Sequence, residues 1–182
     1  MFQASSGVGI PTGSDGDATG TFAAGAEDAE SAVVRSPLAG RVIAVGDVPD
    51  PVFATGMLGP GVAIDPDRAG GGEISALAPV AGTVAKIHPH AFIVTGTAGR
   101  SVLVHLGLDT VQLEGAGFTL HVAEGDAVAV GDPVVTWCPA AVEVGGRNPI
   151  VPVIALQAEG ARVTTGAAGG HVEAGVPLFT WV

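Results

Sequence analysis

One lysine, one cysteine and no long apolar run are what this chain has least of, and each scarcity excludes a class of protein. Seven basic residues, of which only Lys86 is a lysine, stand against 18 acidic ones, giving a formal net charge of −11. Binding to nucleic acid or insertion at an anionic membrane needs the opposite balance, so neither is expected. An acidic surface instead favours partners that present Arg or Lys. Cys138 is alone, which excludes an internal disulfide and any cysteine-rich metal site. No run approaches 18 apolar residues, and the N-terminal stretch has no basic segment followed by an apolar one. Neither a membrane span nor secretion is expected, and a cytoplasmic location is the default.

Uninterrupted helical sequence is also missing. From Pro37 onward no stretch free of Gly and Pro exceeds seven residues, whereas helices average about 10–14. The body is therefore expected to be all β, with short strands between turns. Residues 1–30 are mostly Gly, Ala, Ser, Thr and Asp without apolar periodicity, a composition that reads as a flexible tail. That leaves 31–182 as one domain, and the chain's 47% hydrophobic content is ample for its core.

Two internal repeats sharpen the fold class. Ser36-Pro-Leu-Ala-Gly-Arg-Val42 returns 42 residues later as Ala78-Pro-Val-Ala-Gly-Thr-Val84, and Gly131-Asp-Pro-Val-Val-Thr-Trp137 returns 44 residues later as Gly175-Val-Pro-Leu-Phe-Thr-Trp181. Paired units of this kind point to an antiparallel β-sandwich or barrel with internal pseudo-twofold character and few open edges.

The candidate chemistry lies in two histidines, His90 and His105, on either side of the turn signal Gly96-Thr-Ala-Gly99. A hairpin with a two-residue loop there pairs positions whose numbers sum to 195: Val94 with Ser101, Phe92 with Leu103, His90 with His105. Both imidazoles then share one face, with Cβ atoms about 4.5–5.5 Å apart, near enough to approach one phosphate or one metal. A slip of one residue would put them on opposite faces.

The segments SPLAGRVIAVGDVPDPVFATGMLGPGVAID, ISALAPVAGTVAKI, HAF, VLVHLGLDTVQLEGAGF, EGDAVAVGD and IVPVIAL run in order through the body. With them the chain, from about Ala32 to Val182, resembles the glucose-type enzyme IIA component of the phosphoenolpyruvate-dependent sugar phosphotransferase system. The resemblance implies the duplicated hybrid motif. It also implies a histidine, His105, that accepts a phosphoryl group from the carrier HPr and passes it to a sugar-specific enzyme IIB domain of a IIB/IIC permease, with His90 in support. His88 stands where the family commonly has Thr, and the connection from GTVAKI to HAF is shorter than in some members.

On this footing a backbone carbonyl in Leu106-Gly107-Leu108 can accept the Nδ1 proton of His105 and leave Nε2 free, and His90 can donate to a phosphate oxygen. His88 and Gly107 would act from behind these two. Asp109 and Asp50 suit a carboxylate that receives the carrier's arginine, and Val48, Val52, Phe53, Ile93 and Leu103 suit an apolar docking rim. For Asp109 the plain alternative is a turn residue, for Asp50 a turn between Pro49 and Pro51, and for Phe53 the core. His121 and His171 are assigned to structure or solvent, and Lys86 to a strand with its amine in water.

No cofactor and no resident metal are expected; zinc at His90 and His105 would be adventitious or shared with a partner. The enzyme alternative is a zinc metallopeptidase of related β fold, since His88, His90, His105 and Asp109 supply its residue types, although in the reverse of the usual order. A biotinyl or lipoyl carrier would need a lysine at a hairpin tip, and Lys86 lies inside a strand pattern. Regulatory target proteins are compatible with the phosphocarrier, because phosphorylation changes the charge of a docking face.

Overall fold

A computed structural model describes residues 32–158, 163–165 and 169–181; the tail read over 1–30 lies outside them. Among the described residues an eight-stranded sheet runs, edge to edge, through His171–Val172, Gly40–Ala44, Gly61–Pro66, Val151–Ala155, Ser101–His105, Ala91–Thr95, Gly82–His88 and Ala127–Val128. Two three-stranded sheets accompany it. One is Ala32–Arg35, Pro177–Trp181 and Val163–Thr165; the other is Ile74–Leu77, Pro133–Trp137 and Phe118–Leu120. Neighbouring strands are antiparallel throughout, which makes the fold the antiparallel β-sandwich expected from the turn density. The α-helices are short, Pro51–Ala54 and Pro139–Val144, each beginning at a proline whose missing N–H costs nothing at that position.

The sequence repeats are repeated in hydrogen bonds. Ser36 N donates to Val176 O while Gly175 N donates to Ser36 O; at the equivalent repeat positions Ala78 N donates to Asp132 O while Gly131 N donates to Ala78 O. Val42 exchanges bonds with Gly169 and Gly170 as Val84 does with Gly125 and Asp126. Across the middle, Arg35 N donates to Pro79 O and Leu77 N to Pro37 O. The glycine in both early repeat units has one cause: a Cβ on Gly40 would strike Asp65 O, and one on Gly82 would strike Thr95 O.

Most buried side chains form one core, around Trp137, Phe92, Leu38, Ile64 and Ile154's strand neighbours Val153 and Ala155. Trp137 stacks on Phe118 with ring centroids 5.9 Å apart and planes 8° apart. A second, smaller cluster of Val48, Phe53, Ala63, Leu108 and Ile154 lies against the other face of the large sheet. The central strand Val151–Ala155 is buried on both faces, which explains why it reads as an unbroken apolar run instead of an alternation.

Candidate functional site

The register of the hairpin corrects the sequence reading. His105 pairs with Ala91, Val104 with Phe92, Leu103 with Ile93, Val102 with Val94 and Ser101 with Thr95, so paired numbers sum to 196. The loop holds three residues, Thr97–Gly99, between Gly96 N and Arg100 O, which bond at 2.8 Å, because Ala98 and Gly99 both take positive φ, 57° and 71°. Phe92 and Val94 consequently point into the core, while Ile93, Leu103 and His105 share the outer, half-buried face.

His90 is not a strand residue opposite His105. It occupies the two-residue turn Pro89–His90 that joins Gly82–His88 to Ala91–Thr95. Its backbone O accepts from Leu106 N at 2.7 Å, which ties the turn to the segment just after His105. Freed from strand alternation, the ring meets His105 with centroids 5.2 Å apart and planes at 67°. The two histidines are neighbours, brought together by the turn and not by cross-strand pairing.

Two further contacts hold His105. Its Nδ1 lies 2.7 Å from Gly107 O; a carbonyl can only accept, so Nδ1 carries the proton and Nε2 has the free lone pair. Phe53 sets its ring edge against His105 at 5.2 Å between centroids. Burial pushes the His105 pKa below the ordinary 6.5, against the opposing pull of the Gly107 hydrogen bond, Asp50 and Asp109. The imidazole is therefore neutral at pH 7. The His90 pKa is lowered as well, first by burial and then by the like charges of His105 and His88.

The loop after His105 is built around Gly107. Its φ is +80°, and a Cβ there would meet Thr110 Cγ2 at 2.7 Å and Asn148 O at 3.1 Å. Buried Thr110 donates to Leu106 O at 2.7 Å, and Leu108 N donates to Asn148 O at 2.7 Å. Sequence reasoning does not reach these two residues: the position of Thr110 inside an otherwise specific motif is its one signal, and Asn148 has none.

The other candidate residues divide. Asp50 caps the helix Pro51–Ala54, its Oδ1 accepting from Val52 N at 2.8 Å, and its charge still reaches His105. Asp109 sits in the left-handed region at φ 57°, exposed, and makes no side-chain cap bond. Phe53 offers no docking surface, since it is 5% exposed and packs beneath His105, and Val48 is likewise buried. Val52, named for the rim, is exposed at 52%, and Met57 and Val111, which were not, are exposed at 85% and 59%. His88 ends its strand, exposed, with its ring stacked on His90 at 5.9 Å and 17°.

Among the described residues no group of three His, Cys, Asp or Glu side chains is disposed to hold a metal ion, so the peptidase alternative lacks its ligand set. Lys86 is a strand residue paired with Glu124 at 3.3 Å, not a hairpin-tip lysine. His121 bonds Thr136 Oγ1 at 2.6 Å, and His171 bonds Asp67 Oδ2 at 2.7 Å. No helix among the described residues is long and apolar enough to cross a membrane.

With this geometry in hand, the chain can be compared with known proteins. Residues 32–161 match the family described as phosphoenolpyruvate-dependent sugar phosphotransferase system, EIIA 1. The glucose-specific EIIA component of Oceanobacillus iheyensis is 41% identical over 131 residues, 71% of this chain and 76% of that protein. The β-glucoside-specific EIIBCA component of Bacillus subtilis is 43% identical over 124 residues, 67% of this chain; the match spans only 20% of that longer relative. Among solved structures, glucose permease IIA from Mycoplasma capricolum superposes with a TM-score of 0.73 at 30% identity, covering 83% of this chain and 96% of that one.

Proposed function

The chain belongs to the EIIA 1 family of the phosphoenolpyruvate-dependent sugar phosphotransferase system, and from that premise we propose that it is a phosphocarrier whose acceptor is Nε2 of His105. The observation that supports this most directly is the 2.7 Å contact of His105 Nδ1 with Gly107 O, which favours the tautomer that leaves Nε2 with its lone pair free. The donor is HPr. Its N–P bond breaks as the His105 Nε2–P bond forms, the electron pair leaving with the donor imidazole. Such a transfer is loose and in line, so positioning and charge stabilisation carry most of the catalysis. Lowering of the His105 pKa by burial keeps the nucleophile unprotonated at neutral pH.

His90 stands 5.2 Å from His105, ring to ring, where it can donate to a phosphoryl oxygen as charge accumulates. The product, phosphohistidine, is passed to an enzyme IIB domain. Relatives that carry B, C and A components in one chain are consistent with a separate or fused IIB/IIC permease as the next partner. Exposed Asp109 and half-buried Asp50 supply the acidic contacts, and Val52, Ile93 and Leu103 apolar ones, for a basic carrier. All of these steps belong in the cytoplasm, and regulatory targets would read the same face.

The test is phosphoryl incorporation. Incubation with phosphoenolpyruvate, the general phosphotransferase enzyme and HPr should add one acid-labile phosphoryl group by intact mass. His105→Ala should take up none, and His90→Ala should be labelled yet pass its phosphoryl group on slowly. Normal labelling of His105→Ala would overturn the assignment.

A further inference from the structure

His88 is the one imidazole in the row that the phosphocarrier reading does not use. It is exposed at the end of its strand, His90 is half-buried in the following turn, and His105 lies deepest, so three rings lead inward from solvent. We infer that His88 is a positioning residue: stacked on His90, it makes a positive charge there less favourable and so adds to the burial that leaves His90 neutral until a phosphoryl group reaches His105.

The geometry carries this in two steps. Centroids 5.9 Å apart with planes at 17° place two like charges close enough that binding the second proton is disfavoured about threefold to hundredfold, taking an effective dielectric between water and a protein surface. On its other side His90 meets His105 at 67°. A protonated His90 could donate to the free Nε2 of His105 and mask the nucleophile, whereas a neutral His90 leaves it open. Arrival of a phosphoryl group, with about 1.5–2 negative charges, reverses the balance and draws a proton from solvent onto His90. His88 therefore delays protonation in the acceptor state without preventing it in the phosphorylated state.

The other charges on the surrounding elements are accounted for. Asp50 and Asp109 act on His105; Lys86, on the same strand as His88, is paired with Glu124. Glu114 precedes Gly115, whose Cα-proton side lies against Pro89 of the turn. Burial lowers the His90 pKa most, and His105 and then His88 lower it further.

The inference rests on the phosphocarrier reading, and one set of measurements separates the two. The full chain and its His88→Gln and His88→Lys variants would be followed by NMR of the His90 Cε1–H through pH 5–8, and their transfer rates from phosphorylated HPr measured over the same range. His88→Gln should raise the His90 midpoint by about half a unit or more and move the acid limb of the rate profile upward by the same amount. His88→Lys, with a permanent charge, should hold both down. A purely structural His88 would change rates equally at all pH values and leave the limb in place. An unmoved midpoint and limb, with His105 still labelled in all three proteins, overturns the role of His88 and leaves the phosphocarrier standing. No phosphoryl group on the wild-type chain overturns both.

Discussion

Gly107→Ala is the most informative single substitution, because one atom tests both the packing of the loop and the tautomer of His105. At φ +80° an L-residue is disfavoured by about 1–2 kcal/mol relative to glycine. The added Cβ would also lie 2.7 Å from Thr110 Cγ2, on a buried side chain whose Oγ1 is tied to Leu106 O, and overpacking of that kind costs about 1–3 kcal/mol. Reduced freedom of the unfolded chain returns about 0.4–1 kcal/mol. The net loss is about 2–4 kcal/mol, which in a chain of this size lowers Tm by about 5–15 °C. Gly99→Ala is the control: φ there is +71°, but nothing lies within 4 Å of the new Cβ, so only the dihedral cost less the same entropy return remains and Tm should fall by no more than about 6 °C. Calorimetry of the two variants side by side isolates the clash. In the Gly107 variant the displaced carbonyl should loosen its grip on His105 Nδ1, and the ring's nitrogen chemical shifts should move from a single tautomer toward a mixture. Equal Tm losses for the two variants, or an unchanged His105 tautomer at Gly107→Ala, would refute the reasoning.

Asp50 serves two purposes that different substitutions separate. Asp50→Ala should lose about 0.5–2 kcal/mol with the cap on Val52 N, whereas Asp50→Asn keeps the cap; both remove the charge and should lower the His105 midpoint further in an NMR titration. Stability should also depend on pH through the histidines. His105 and His90 have depressed folded pKa values, so below about 6.5 the unfolded chain binds more protons and stability falls as pH drops toward their folded midpoints. His171, raised by its hydrogen bond to Asp67, has the opposite sign: its contribution is present below about 6.5 and lost as pH rises through its folded midpoint. Urea midpoints between pH 5 and 8 should show the acid loss flattened in His105→Gln and steepened in His171→Gln.

How the two histidines become neighbours shows what a sequence can and cannot specify. Register is dictated when one face of a strand is apolar and the other polar. Ala91-Phe-Ile-Val-Thr95 is apolar on both, because Phe92 and Val94 enter the main core while Ile93 lies on the outer face beside Leu103. Loop length then decides, and it turns on Ala98 taking φ 57°, a conformation that nothing in Gly-Thr-Ala-Gly announces for an alanine. Where backbone approach demands glycine, as at Gly40 and Gly82, the repeat was readable and the hydrogen bonds follow it. The smaller core beneath Phe53 was not readable, since its members come from segments scattered between Val48 and Ile154 with no shared period. The pairing that does hold the site together is the Leu106 N to His90 O bond. It continues the ladder one step past Ala91–His105 into the turn, so the main chain of His90 obeys the register while its side chain does not. That separation allows the supporting imidazole to face His105 instead of the core, and it requires a turn at Pro89–His90, not a longer strand.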